Sequence, residues 1–198
     1  MNRFMALLLL LLLTFSFAAC ERAPQALPEG AVILAFGDGL TYGTGAAAGE
    51  GFPEVLERLV GRRVVNAGVE GETTTVGLQR LPAVLAEVKP KLVILCHGGE
   101  DMTQKLEPNQ LIANMRAMVE LIGASGAEVL LVAVPPPAAY FKPAPFYVQI
   151  SRDLKTSIEV SALSNILSKK ELRSEGNYPN AQGYAALAKA LAKRVTTR

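Results

Sequence analysis

The chain has 198 residues, of which 50% are hydrophobic and 19% charged, with a formal charge of +2. That is enough chain for one α/β domain with a sizeable core, within the globular range of composition. The near balance of charges, with no dense basic run, argues against a nucleic-acid partner.

Met1-Asn-Arg3 gives a short positive start, Met5 to Phe17 is almost entirely apolar, and Ala18-Ala19-Cys20 follows. A basic start, an apolar stretch and small residues before a cleavage point describe a secretory signal peptide over residues 1–19. The stretch is short for a membrane span. A cysteine directly after two alanines resembles a bacterial lipoprotein box, which implies that Cys20 is the acylated first residue of the mature chain. The alternative is a secreted protein with a chance cysteine. Acylation implies a membrane partner through the lipid anchor. Glu21, where aspartate would signal inner-membrane retention, points to the outer membrane of a bacterial cell envelope, facing the periplasm. With Cys20 acylated, Cys96 is the only remaining thiol and no intrachain disulfide can form. Residues 20–30 hold two prolines and a glycine and read as a tether. The domain proper spans 31–198.

Ala31 to Phe36 is a continuous apolar run that stops in a glycine-rich turn from Gly37, the pattern of a strand buried on both faces of a parallel sheet. Glu54–Val60 carries a helical stripe, and Arg63–Gly68 reads as a second strand and its turn. Thr73–Val88 reads as a helix that Pro82 kinks or interrupts. Leu92–Cys96 is a third buried strand, Pro108–Ile122 a helix closed by Gly123 and Gly126, and Val129–Val134 a fourth strand stopped by three prolines. Pro135 to Phe146 reads as an ordered loop. Its Tyr140, Phe141 and Phe146 either line an acyl or aromatic pocket or simply pack the loop down. Tyr147–Ile158 reads as helix, Val160–Leu163 as a weak fifth strand, Ile166–Leu172 as a short helix and Asn180–Val195 as a long one. Strands alternating with helices predict a single three-layer α/β/α sandwich, flavodoxin-like, with about five parallel strands.

Four blocks in order resemble those of the SGNH (GDSL) hydrolases, in particular the bacterial arylesterase, lysophospholipase and thioesterase branch. They are Gly37-Asp38-Gly39-Leu40-Thr41, Asn66-Ala-Gly-Val-Glu-Gly71-Glu-Thr-Thr74, Gly98-Gly99-Glu100-Asp101, and Glu175-Gly-Asn-Tyr178-Pro-Asn-Ala181. The resemblance covers nearly the whole domain. It implies that the nucleophilic serine is Gly39 here, the oxyanion asparagine Glu100, the triad aspartate Glu175 and the catalytic histidine Tyr178. The oxyanion glycine is retained as Gly71. The frame of glycines, prolines and apolar residues around these positions is kept.

Acyl transfer through serine needs an oxygen nucleophile, a base and donors for the developing oxyanion. Glycine offers no side-chain atom, and tyrosine, with an ordinary pKa of about 10, is a poor base near neutrality. A carboxylate at Glu100, about 4 Å from an oxyanion, would repel it by about 4 kcal/mol at an effective dielectric near 20. His97 is the only histidine, and a packed role is expected for it before a catalytic one. No catalytic set is therefore intact. The expected protein is a lipid-anchored SGNH-like pseudoenzyme whose altered site is either a disused remnant on a scaffold or a binding site for a cation or a lipid- or ester-type ligand. The alternative is an active ester hydrolase of the arylesterase, lysophospholipase or acyl-thioesterase class. A cation site would draw on Asp38, Glu100 and Glu175, with Tyr178 and Glu70 near. No cofactor is expected. Gly37-x-Gly39 fails the dinucleotide-binding spacing, because the next glycine is Gly43.

Overall fold

The computed structural model describes residues 27–137, 142–175 and 178–196. Its sheet is wholly parallel, in the order β2-β1-β3-β4-β5. The strands are β1 Ile33–Gly37, β2 Val64–Gly68, β3 Leu92–Cys96, β4 Glu128–Val132 and β5 Ser157–Glu159. Every residue of β1 and β3 is buried, which is why their sequences run apolar without alternation. The helices are α1 Gly39–Tyr42, α2 Phe52–Val60, α3 Thr74–Val88, α4 Gly99–Thr103, α5 Pro108–Ala124, α6 Pro145–Asp153, α7 Ala162–Leu167 and α8 Ala181–Thr196. α8 packs on α2 and α7 in one layer; α5 packs on α3 and α6 in the other. The expected flavodoxin-like three-layer sandwich is the fold observed. Among the described residues the core lies between Leu27 and Val195, so a chain beginning at residue 21 contains every described core residue.

The structure departs from the sequence reading in several places, one being that the helix expected over Ile166–Leu172 is split between the end of α7 and a separate 3-10 turn, Lys170–Leu172. α3 runs unbroken through Pro82, held on either side by buried Leu81 and Leu85. The fifth strand is Ser157–Glu159, not Val160–Leu163. α6 stops at Asp153, Lys155 turns at φ +49, and Thr156 Oγ1 donates to the Val129 carbonyl at the start of β5. The apolar residues Ala162 and Leu163 are instead the buried side of α7. The two shortest helices, α1 and α4, have too few residues to show a period and were not expected.

Strand order reverses between β1 and β3, and in such sheets ligands bind in the crevice outside the carboxyl ends at that point. The crevice is narrow because Gly37 sits hard against β3: a Cβ there would run into the Cys96 carbonyl. Gly68 likewise lets β2 lie against the Tyr42 backbone.

Candidate functional site

Asp38 follows β1 directly and caps α1. Its Oδ1 accepts from the Leu40 N–H at 3.0 Å, and its Oδ2 accepts from the Gly99 N–H at 2.9 Å, with the Glu100 N–H at 3.4 Å. Both oxygens are thus committed to backbone donors, and the residue is buried. Asp38 is a strut joining the ends of β1 and β3.

Gly39 opens α1 at the floor of the crevice. A Cβ on Gly39 would stand 2.9 Å from the Tyr178 hydroxyl, 3.1 Å from Tyr178 Cε1 and 3.2 Å from Thr44 Oγ1. The phenol end of Tyr178 therefore fills the space that a side chain at 39 would need. Burial first, then the charges of Asp38, Glu100 and Glu70, push the Tyr178 phenol up to about 12. At pH 7 a phenolate with that pKa is populated at about one part in 10⁵, which makes the Tyr178 phenol a poor base and a poor nucleophile.

Glu100 is half-buried in the first turn of α4, and its Oε1 accepts from Gln104 Nε2 at 2.8 Å. Gly71 keeps a left-handed turn, φ +73, just before α3. Glu175 is exposed, and Glu70 accepts from Thr44 Oγ1 at 2.9 Å. Among the described residues no three His, Cys, Asp or Glu side chains group closely enough to hold a metal ion. The expected cation site of Asp38, Glu100 and Glu175 is therefore not formed. Asp38 is turned onto backbone amides, and Glu175 stays at the surface.

What remains is a cavity of about 100 Å³, smaller than the roughly 150 Å³ apolar cavity that takes up benzene. Leu40, Val134, Pro135, Pro137 and Leu167 give it apolar walls; Asp38, Glu100, Thr103 and Tyr178 give it polar ones. Of the aromatic residues expected in the following loop, Tyr140 and Phe141 lie outside the described residues. Phe146 packs against Tyr147, with ring centroids 4.1 Å apart.

Behind the cavity lies a buried row of charges that sequence reasoning missed. His97 is fully buried, with Nδ1 3.7 Å from Asp38 Oδ2 and Nε2 3.3 Å from Glu72 Oε1. Glu72 in turn takes two bonds of 2.7 Å from Arg80, whose guanidinium lies 4.1 Å from the Phe36 ring centroid. Burial alone would lower the His97 pKa; the flanking Asp38 and Glu72 carboxylates reverse that and hold it up to about 9. The Gly98 N–H, 2.9 Å from Nδ1, opposes protonation there. It is outweighed, because Asp38, Glu72 and Arg80 leave one buried negative charge that the imidazolium cancels. Glu72 is pushed up by burial, but the bonds from Arg80 and His97 win and its pKa is lowered. His97 thus holds a packed place between the Asp38 and Glu72 carboxylates. The only hint in the sequence was an acidic residue just ahead of a helix that carries an arginine on its inner face.

Asp101 is equally structural. It accepts from the Thr74 N–H at 2.8 Å and from Thr74 Oγ1 at 2.6 Å, and Asn114 Nδ2 donates to that same hydroxyl at 3.0 Å. The signal segment and Cys20 lie outside the described residues. Among the described residues, no helix is long and apolar enough to cross a membrane.

Residues 35–186 match the model of the GDSL-like Lipase/Acylhydrolase family. The chain belongs to that family. Among its GDSL-family relatives is Esterase TesA of Pseudomonas aeruginosa, 37% identical over 113 residues, which span 54% of this chain and 56% of that esterase. The Thioesterase 1/protease 1/lysophospholipase L1 of Escherichia coli K12 is 27% identical over 196 residues, covering 95% of this chain and 89% of that protein. A crystal structure of TesA superposes with a TM-score of 0.72 at 27% identity, covering 81% of this chain and 95% of that one. The fold of the psychrotrophic esterase EstA from Pseudoalteromonas is also shared, with a TM-score of 0.73 at 23% identity over 82% of this chain and 94% of that one.

Proposed function

We propose that this GDSL-family chain has lost serine-esterase chemistry and persists as an envelope-tethered pseudoenzyme whose small cleft receives a short lipid- or ester-type group. The observation that carries the proposal is the Tyr178 hydroxyl, 2.9 Å from where a Cβ on residue 39 would stand. On this reading the nucleophile's place is not merely vacant: a phenol, a poor nucleophile near neutrality, lies against it. Glu100 adds a carboxylate on the cavity wall, which disfavours a developing oxyanion there. The apolar wall of Leu40, Val134 and Leu167 is what a short acyl group would contact. The tether reading rests on Cys20 following Ala18-Ala19, and acyl chains on Cys20, read by mass spectrometry of the chain made with its own leader, test it.

A second reading, an active ester hydrolase, is favoured by the left-handed turn at Gly71 and by the esterase and thioesterase names of the relatives. Hydrolysis of short- and medium-chain aryl esters by residues 21–198 separates the two. The comparison protein carries Gly39→Ser, Glu100→Asn, Glu175→Asp and Tyr178→His. A silent natural chain beside an active restored one supports the proposal. Turnover by the natural chain that disappears with Glu100→Gln or Glu175→Gln overturns it.

A further inference from the structure

We propose that the crevice takes positive rather than negative charge: it receives a small alkylammonium group, held by Glu100 and Tyr178 with its carbon chain on the apolar wall. The inference rests on the loss of serine chemistry proposed above and specifies the polar end of the group that the cleft takes. An oxyanion needs hydrogen-bond donors. Leu40, Gly99 and Glu100 line this cavity, but their N–H groups already donate to Asp38. The Thr103 hydroxyl donates to the Gly99 carbonyl at 2.9 Å. Among the described residues, Glu100 Oε2 and Tyr178 Oη have no hydrogen-bond partner. Both can accept, so the spare polar atoms of the cavity call for a donor.

The charges agree with that demand. Among the described residues, no Lys, Arg or His lines the cavity. Asp38 is matched from behind by His97, 3.7 Å away, whereas Glu100 and Glu70 have no ion-pair partner among the described residues. The charged groups that act on the Tyr178 phenol are all acidic: Asp38, Glu100 and Glu70. A metal ion would need several closely grouped ligands, and the described residues do not bring them together. An ammonium needs less: one carboxylate for charge-assisted hydrogen bonds, one phenol oxygen, and an apolar wall for its carbons. Leu40, Val134 and Leu167 supply that wall, and a cavity of about 100 Å³ admits a short chain but no bulky headgroup. A phospholipid's ammonium carries a phosphate beside it, and no base lines the cavity to meet that phosphate. A free amine therefore fits the cleft better than a phospholipid head.

The test titrates residues 21–198 calorimetrically, at fixed ionic strength, with n-butylammonium, 1-butanol and butyrate, which share a short carbon chain and differ in the polar end. n-Butylammonium should bind about ten-fold more tightly than either of the others. Glu100→Gln keeps the shape of the side chain and removes its charge, and should weaken ammonium binding about ten-fold. Tyr178→Phe keeps the ring and should weaken it about three-fold. Glu120→Gln, on the exposed side of α5, should leave it unchanged, and melting temperatures check that each variant folds. Glycerophosphoethanolamine should bind more weakly than n-butylammonium; equal binding keeps the ammonium site and assigns it to a lipid headgroup instead. Absence of n-butylammonium binding, equal binding of the three short-chain ligands, or ammonium binding indifferent to Glu100→Gln overturns the proposal and leaves the loss of catalysis standing. Ester turnover by the natural chain, read in the separate hydrolysis assay, overturns the reading on which the proposal rests.

Discussion

If Tyr178 fills the place of a side chain at 39, the two positions must be energetically coupled. The perturbation is a double-mutant cycle of Gly39→Ser and Tyr178→Ala in residues 21–198. In the natural background a Cβ on residue 39 meets the Tyr178 hydroxyl at 2.9 Å and Cε1 at 3.1 Å. Separations that short force the ring aside, and overpacking of this kind costs about 1–3 kcal/mol. Replacing glycine inside a helix recovers roughly 0.5 kcal/mol, so Gly39→Ser alone should destabilise by about 1–2 kcal/mol. With Tyr178→Ala the obstacle is gone, and the same substitution should be neutral or slightly stabilising. Urea unfolding with linear extrapolation reads all four corners. A coupling of about 1–2 kcal/mol is expected. Additivity within about 0.5 kcal/mol would refute the idea that the phenol occupies the nucleophile's space.

The chain's single histidine gives an unambiguous proton resonance, and His97 should titrate with a pKa of about 9; a value at or below 6.5 would show the ring neutral and the row of charges misread. Because the folded pKa stands above the ordinary 6.5, His97 contributes fully below that pH and loses its contribution as the pH rises through about 9. The urea-derived stability should drop by up to about 3 kcal/mol over that interval, and a flat profile would contradict the pairing with Asp38 and Glu72. Glu72, with its lowered pKa, acts in the opposite sense, contributing above its ordinary range and losing that as the pH falls through its folded value; Glu72→Gln should cost about 3–5 kcal/mol at pH 7 by stranding Arg80 and His97. Asp101→Ala should cost about 2–4 kcal/mol through the Thr74 N–H and hydroxyl it leaves unpaired, and a change within 0.5 kcal/mol would remove it from the structural set.

The fold was legible because β1, β3 and β4 are largely continuous apolar runs bounded by turns, and burial on both faces is what produces such runs. β5 was misplaced because it is a three-residue edge strand whose residues are exposed or half-buried, so no hydrophobic signal marks it. The nearby apolar residues that did stand out belong to α7. The altered site was legible as departures from a motif at Gly39, Glu100, Glu175 and Tyr178. What those departures do in space was not, because only the fold brings Tyr178 onto Gly39. The same holds for the contacts of His97 with Asp38 and Glu72, which link three separate loops. The expected cation site failed for a related reason. A motif places Asp38, Glu100 and Glu175 around one crevice, but it does not say that backbone amides have already claimed the first or that the last remains at the surface.

Retention of a family's motifs is often taken as a sign of retained chemistry, and here that inference divides. Asp38 joins β1 to the β3 turn, Asp101 clamps the start of α3, and Asn66 Oδ1 accepts from the Gly68 N–H at 2.9 Å. Gly37 and Gly68 permit backbone contacts that no side chain would allow. Each of these residues would be kept by stability alone, whether or not an ester is ever cleaved. The residues with no such duty are those at the surface of the crevice, and that is where the motif has changed. Gly39 and Tyr178 form a complementary pair, one small where the other is large, which is the packing expected under the proposed loss of catalysis. The frame therefore attests to the fold, and the pair is what the proposed loss of catalysis rests on.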